Sequence, residues 1–346
     1  MTPKILFLLK KRQHSWNDSY SGSGLSSGLY NSANFIKNML IESGFKAKLA
    51  EVIDGNGVDR EIHIFRPTHV IIEAFFVTPV KLSQLAKLHP KIQWIVRNHS
   101  DFPFLSTEGI VMDWSLEYLK IKNVYLSCNK KETNNGFKVL AKEAGLNPDK
   151  VLYLPNYYMP DFNLSKCWKD SDVIKISCFG AIRPIKNQLI QAIAAIQFAK
   201  KIGKRLEFHI NSGRVEGRGE PTLKSIKTLF AHLPCAKLVE HGWTPHHEFK
   251  NLCGKMDIAM QVSFSETLNI VSCDSADQNV PIVVSEEIFW ACRLFQSKTT
   301  KIEDIIKKLS FAWKTRKMLN YFNPNKYNLK KYSELSRKIW IQVINS

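Results

Sequence analysis

Short apolar runs alternate along this chain with segments whose apolar residues fall at helical spacing, and that rhythm leaves little choice of fold. It is the pattern of repeated strand and helix units, in which strands lie buried in a parallel sheet and helices cover it through one apolar stripe. The first run is Ile5 to Leu9. A polar stretch rich in Gly and Ser comes next, Ser19 to Gly28. The spacing of Leu29, Ala33, Ile36, Met39 and Leu40 then predicts a helix that stops at Gly44. Further strands are predicted at Lys48 to Ile53, His69 to Glu73, Trp94 to Asn98, Asn123 to Ser127 and Val151 to Leu154, with a helix at Pro79 to Leu88.

The rhythm stops between Asn156 and Asp172, a polar segment around Pro160 that reads as a linker. It restarts with a strand at Ile174 to Phe179, a helix at Gln188 to Lys201, a strand at Arg205 to Ile210, a charged loop at Ser212 to Pro221 and a helix at Leu223 to Leu233. Strands at Lys237 to Glu240, Ile258 to Gln261 and Ile282 to Val284 come after these, with a helix near Ile270 to Gln278. The expected fold is therefore α/β, with two Rossmann-like domains facing each other across a cleft and C-terminal helices after them. Open α/β folds bind ligands at the carboxyl ends of their strands, which would wall that cleft. The expected boundaries are 1–165 for the first domain, joined by a C-terminal helix at about 325–346 that packs back on it, and 166–324 for the second. A length of 346 residues suits two domains, because single cores stop growing at about 250–300 residues.

Charge narrows the partners. Forty-nine Lys and Arg against 31 Asp and Glu leave a formal charge of +18, and half of that surplus lies between Lys298 and Lys338. A basic surface suits a polyanion, either nucleic acid or an anionic membrane face. Phe311, Trp313, Tyr321, Phe322, Tyr327, Tyr332 and Trp340 are interleaved with the basic residues of this tail. At helical spacing such aromatics read first as core, with the lysines as a solvated face; together they can also serve nucleic acid. The seven cysteines include no CxxC pair and read as reduced thiols rather than a disulfide framework or zinc cluster. No apolar run is long enough to span a bilayer, so a cytoplasmic protein without integral membrane contact is expected.

Two segments of the second half carry the chemistry. ISCFGAIRPIKNQ, Ile176 to Gln188, supplies a strand, a turn at Gly180, and the cations Arg183 and Lys186 ahead of a helix. Helix-terminal amides with two fixed cations suit a diphosphate without a metal. In VSFSETLNIVSCDSADQNVPIVVS, Val262 to Ser285, Glu266 and Asp274 lie eight apart with a helix starting between them. Carboxylates so placed accept hydrogen bonds from sugar and ribose hydroxyls, and the amides of Thr267, Leu268, Asn269 and Ile270 can meet phosphates.

Taken in order, these segments resemble the retaining glycosyltransferases of the GT-B fold, and family 4 among them. The likeness rests on Phe179-Gly180-Ala181-Ile182-Arg183-Pro184-Ile185-Lys186-Asn187 as a phosphate loop and His241-Gly242-Trp243-Thr244 as a nucleobase loop. It continues through Glu266, with Asp274 in place of a second glutamate, into Asp277-Gln278-Asn279-Val280-Pro281-Ile282-Val283. The first half is a looser match. Gly22, Gly24 and Gly28 stand where the family carries a glycine-rich loop closing on the donor. His99, between Arg97 and Asp101 in WIVRNHSDFPF, stands where many members place a histidine beside the reacting sugar. YLPNYYMPDF, Tyr153 to Phe162, resembles the start of the family's linker, with Tyr157 for the usual glycine.

The resemblance implies transfer of a sugar from a nucleotide diphosphate sugar, a UDP-sugar, to a hydroxyl with retention of configuration. It implies catalytic roles for His99, Glu266, Arg183 and Lys186. Donor binding falls to Gly24, Gly180, Arg183, Lys186, Gly242, Trp243, Glu266, Thr267, Leu268, Asn269, Ile270 and Asp274, and acceptor binding to Arg97, His99 and Asp101. No tightly bound cofactor and no metal are expected; Asp170-Ser171-Asp172 spells a metal motif of the other glycosyltransferase fold but falls in the linker. The shorter Asp274, and Thr267-Leu268-Asn269-Ile270 where the family has Phe-Gly, leave the sugar open between glucose and a pentose such as arabinose. SGLYNSA, THVIIEAFF and EGIVMDW also resemble glycosyltransferases encoded by bacteriophages, which implies 5-hydroxymethylated pyrimidine in phage DNA, such as hydroxymethylcytosine, as acceptor, and the host cytoplasm as location. DNA is then the expected partner of the basic surface. An envelope or lipid-linked glycan at the membrane surface is the alternative acceptor, and a non-catalytic basic binding module a third reading.

Overall fold

The structure, a computed structural model, describes residues 2–11 and 28–346. Gly22 and Gly24 therefore lie outside the described residues. The chain divides into two compact units, Met1–Tyr158 with Tyr332–Ser346, and Met159–Lys331.

The first unit runs β1 (Lys4–Lys10), α1 (Gly28–Glu42), β2 (Lys46–Val52), α2 (Gly57–Phe65), β3 (His69–Glu73), α3 (Pro79–Leu88), β4 (Gln93–Asn98), α4 (Phe102–Leu105), α5 (Val111–Lys120), β5 (Val124–Cys128), α6 (Lys131–Glu143) and β6 (Val151–Tyr153). The six strands form one parallel sheet in the order β2-β1-β3-β4-β5-β6. Alternation along β1 divides the core into two layers. Leu6 and Leu8 join Val70, Ile72, Trp94 and Val96 under α2, α3, α5 and α6, where Ile62, Leu85, Tyr118 and Phe137 are buried. Ile5 and Phe7 point the other way, with Ile71 and Ile95, onto Ile36, Met39 and Leu40 of α1 and onto Trp340 and Ile344. Those last two residues belong to the C-terminal helix, and the Trp340 indole N–H donates to the Pro155 carbonyl at 2.7 Å, so the large ring is buried with its polar atom satisfied.

The second unit runs β7 (Val173–Ser177), α7 (Gln188–Lys201), β8 (Arg205–Asn211), α8 (Glu220–Ala231), β9 (Ala236–His241), α9 (His246–Gly254), β10 (Ile258–Gln261), α10 (Ile270–Asp277), β11 (Ile282–Ser285), β12 (Gln296–Ser297) and α11 (Ile302–Thr315), and the final helix is α12 (Pro324–Asn345). Its sheet is again six-stranded and parallel, in the order β12-β11-β10-β7-β8-β9. Phe198 of α7, Phe230 of α8 and Leu309 of α11 pack with Ile176, Phe208 and Met260 in one cluster. In each unit every strand runs the same way, so the loops that leave the strands collect along a single edge of that sheet.

Candidate functional site

The edge formed by the carboxyl ends of β7 to β10 gathers the second-unit residues named from sequence. Gly180 comes after β7 with φ of +108°, a conformation that a side chain rarely adopts, and its N–H donates to Asn211 at the end of β8 (2.9 Å). The turn delivers Arg183 and then Lys186, in a single 3-10 turn before α7. Asn187 closes that turn in the left-handed region and its amide donates to the carbonyls of Val262 (3.0 Å) and Thr299 (2.8 Å). The Phe264 N–H donates to Ile185 O at 2.9 Å, which fixes the loop after β10 against the loop after β7.

That contact brings Lys186 Nζ to 2.5 Å from Glu266 Oε1, a pair separated by eighty positions in the chain. Glu266 is only 7 % exposed and also accepts from the Asn269 amide at 2.8 Å. Asn269 in turn caps α10 by accepting from the Ser272 N–H (2.8 Å) and ties back to Gln261 of β10 (2.9 Å). The start of α10 is thereby held with Thr267, Leu268, Asn269 and Ile270 leading into its N-terminus, where the helix dipole favours an anion.

Arg183 and Arg214 both pair with Glu216, and the Arg214 guanidinium lies 4.9 Å from the centre of the Trp243 ring. Burial opposes ionisation of Glu216, but the two arginines outweigh it and hold its pKa down at about 2. The bridge links the loop after β7 to the segment that carries Arg214, whose guanidinium lies by Trp243. Asp274, expected to bind hydroxyls, is fully buried in α10 and its Oδ1 is 2.8 Å from Nε2 of the partly exposed His246, the first residue of α9.

In the first unit, the ends of β3, β4 and β5 converge. Their register sets Glu73 beside Arg97, and the Arg97 guanidinium reaches Glu73 at 3.2 Å and the Asn156 amide oxygen at 2.5 Å, which also accepts from Ser32 Oγ at 2.7 Å. His99 lies just past β4 and its Nε2 bonds the same Glu73 carboxylate. Burial works against the charged form of Glu73, yet Arg97 and His99 prevail and keep it below the usual carboxylate range. Burial likewise holds His99 below the ordinary imidazole range, against the pull of Glu73. Two of the residues expected at the acceptor, Arg97 and Asp101, are enclosed by protein partners. Arg97 is wholly buried, so it can act on a ligand only through its neighbours. Asp101 caps α4 through the Phe102 N–H and binds Lys130 (2.6 Å) and Thr133 (2.7 Å), a structural set of partners.

At the level of sequence, neither a protein-family model nor a curated protein matches this chain. Its three-dimensional likenesses are extensive. It is similar to HepE of Anabaena, solved with UDP and glucose (TM-score 0.64, 13% identity, covering 99% of this chain and 98% of that one). It is similar also to a sucrose-phosphate synthase from Thermosynechococcus elongatus (TM-score 0.67, 8% identity, 99% and 98% covered). A UDP-forming α,α-trehalose-phosphate synthase from Burkholderia xenovorans gives a TM-score of 0.64 at 10% identity, with 100% and 99% covered. The chain has the GT-B fold.

Several polar residues of this GT-B chain were not singled out from sequence: Glu73, Asn156, Arg214, Glu216 and His246. Among the described residues one group offers metal-ligating atoms within 4.8 Å of one another, Asp59, His63 and His89. His89 caps α3 just before β4 begins, at the sheet edge opposite His99, so the group is no part of the site above. No described helix is long and apolar enough to cross a membrane.

The carboxyl edge of the second sheet also carries a pH signature. His209 and His241 stack with Nδ1 and Nε2 2.9 Å apart, and burial, then the His241 charge, depress His209 to about 4. Below pH 6.5 the unfolded chain takes up a proton that the folded unit refuses, so stability falls between pH 6.5 and 4 and levels off below that. Melting curves across this window are expected to fall less steeply for His209→Gln than for the wild type; parallel curves would show that His209 is not the source.

Proposed function

We propose that the chain is a glycosyltransferase that moves a sugar from a UDP-sugar to a hydroxyl, with retention, and that the acceptor is a 5-hydroxymethylated pyrimidine in DNA. The observation that carries the reading is the Lys186 ammonium held against Glu266 at the capped start of α10, on the same sheet edge as Arg183. A diphosphate bound there would draw Arg183 from Glu216 and Lys186 from Glu266. Both cations then neutralise charge as it develops on the departing phosphate, the largest electrostatic contribution to such a transfer. Released from Lys186, Glu266 can accept from sugar hydroxyls, with Asn269 fixing its orientation. Trp243 with Arg214 behind it offers a face for the base. His99, bonded to the Glu73 carboxylate that Arg97 also pairs with, keeps its proposed role in handling the acceptor. In a front-face displacement the acceptor proton leaves with the phosphate, so no separate strong base is required.

Two things support UDP as the nucleotide and DNA as the acceptor. HepE, of the same fold, was solved with UDP-glucose (TM-score 0.60, 13% identity), and the surplus of 18 positive charges far exceeds what one diphosphate needs. Reaching a base hydroxyl in a duplex would require the base to leave the stack. The test is incubation with hydroxymethylated and unmodified DNA and a panel of UDP-sugars, including UDP-glucose and UDP-arabinose, with nucleoside mass spectrometry as the readout. A hydroxymethylated nucleoside heavier by one sugar is expected. Transfer only to lipid-linked glycan would refute the acceptor, and no transfer from any nucleotide sugar would refute the enzyme.

A further inference from the structure

The stretch of the basic tail from Lys314 to Lys317, at the end of α11, lies away from the proposed donor site. Trp168 and Lys166 precede β7, and Lys204 precedes β8, so they mark the amino ends of these strands, opposite Gly180, Arg183 and Glu266. The end of α11 meets them there. The Arg316 guanidinium stacks on Trp313, 3.5 Å from its ring centre, and lies 5.9 Å from Trp168, while Lys166 is 4.8 Å from Trp168 and Lys204 5.8 Å from Trp313. Asp170 and Asp257 face Arg316 and offset part of this charge; Lys314 and Lys317 stand exposed beside it.

The turn after Arg316 is held in place. Lys166 N–H donates to the Asn320 side chain at 2.9 Å and the Asn320 amide returns a bond to Lys166 O at 2.8 Å, while Leu319 is buried. This clamp presents Tyr321 at 93 % and Phe322 at 66 % exposure, a large aromatic surface left in water on a fixed turn. Met318 is exposed at 64 % beside these two rings, and Lys317 precedes them in the chain. Exposed rings of this kind suit bases, which stack singly on aromatic faces while their phosphates meet lysines. A membrane interface is more commonly entered by a continuous apolar helical stripe, which this short turn lacks.

We infer that this edge of the second unit is a docking site for single-stranded or locally opened DNA, with phosphates on Lys314 and Lys317 and unpaired bases on Tyr321 and Phe322. The inference rests on DNA being the acceptor. The five residues of β7 separate the docking edge from the donor edge by about 17 Å. The nucleotides held here are therefore not the one that reacts. The site tethers the strand and sets KM, leaving kcat to the donor edge.

Fluorescence anisotropy with a labelled thymidine oligonucleotide and a duplex of equal length tests it. The wild type is expected to bind the single strand more tightly than the duplex. Tyr321→Ala with Phe322→Ala should weaken single-strand binding about tenfold or more and abolish that preference. Lys314→Glu with Lys317→Glu should weaken both and lower the slope of log affinity against log salt by roughly 1.5. All four positions are exposed, and unchanged binding of UDP serves as the control for folding. If the wild type binds DNA and the variants bind it equally well, the docking site is overturned while DNA remains the acceptor. If the wild type binds no DNA but binds phosphatidylglycerol vesicles through these residues, both readings fall.

Discussion

Lys186→Ala is expected to lower turnover with a saturating UDP-sugar by about 100- to 1,000-fold, the scale of removing one preorganised group that stabilises developing charge. The ammonium stands 2.5 Å from Glu266 on a 3-10 turn closed at Asn187, so a backbone already fixed in place leaves it only the exchange of one anionic partner for the leaving phosphate. Arg in its place keeps the charge but not the compact geometry, and should recover only part of the rate. Glu266→Gln is expected to behave differently: it keeps a hydrogen-bond acceptor for the sugar but no longer draws on Lys186 as an ion, so the loss should be smaller than for Lys186→Ala. Initial rates for the three variants at saturating donor check the order; equal and near-normal rates would remove both residues from the chemistry.

The second large effect is structural. Arg97→Met leaves the Glu73 carboxylate buried without its main cation, a change expected to cost about 3–5 kcal/mol. For a unit of this size that corresponds to a fall in melting temperature of roughly 10 °C. Both side chains are fully inaccessible, so solvent cannot replace the lost partner. Adding Glu73→Leu to Arg97→Met removes the orphaned charge and should restore much of the stability, while leaving His99 without its carboxylate and the enzyme slow. Thermal melts of the single and double variants decide: if the double variant is no more stable than the single, the pair is not what holds this region.

Most strands were legible in the sequence because parallel strands buried on both faces are written as apolar runs. β3 falls at His69–Glu73 and β10 at Ile258–Gln261, as expected from the sequence alone. Helices were harder where burial is thin. α6 contains Asn134-Asn135-Gly136 and hides behind that loop-like triplet, yet the glycine is there for packing: a Cβ at Gly136 would lie 2.4 Å from the Phe102 ring. α2 and α5 escaped notice for the same reason, being short and half exposed, as did α9. The loops after β7 and β10 could be located because their residues are close in sequence to strand ends. Their partners could not, since Glu216 and His246 reach Arg183 and Asp274 across 33 and 28 positions. Glu73 had a signal that was missed: the apolar run of β3 ends in an acid, and that of β4 carries Arg97 at the matching register.

The most direct measurement is a calorimetric titration of UDP into the wild-type chain and into Arg183→Ala with Lys186→Ala. Saturable binding by the wild type that weakens by at least about 100-fold in the double variant, with UMP much less affected, is expected if two charge-assisted contacts hold the second phosphate. No binding of UDP by the wild type, or equal binding by the double variant, would contradict a diphosphate site at the start of α7 and α10.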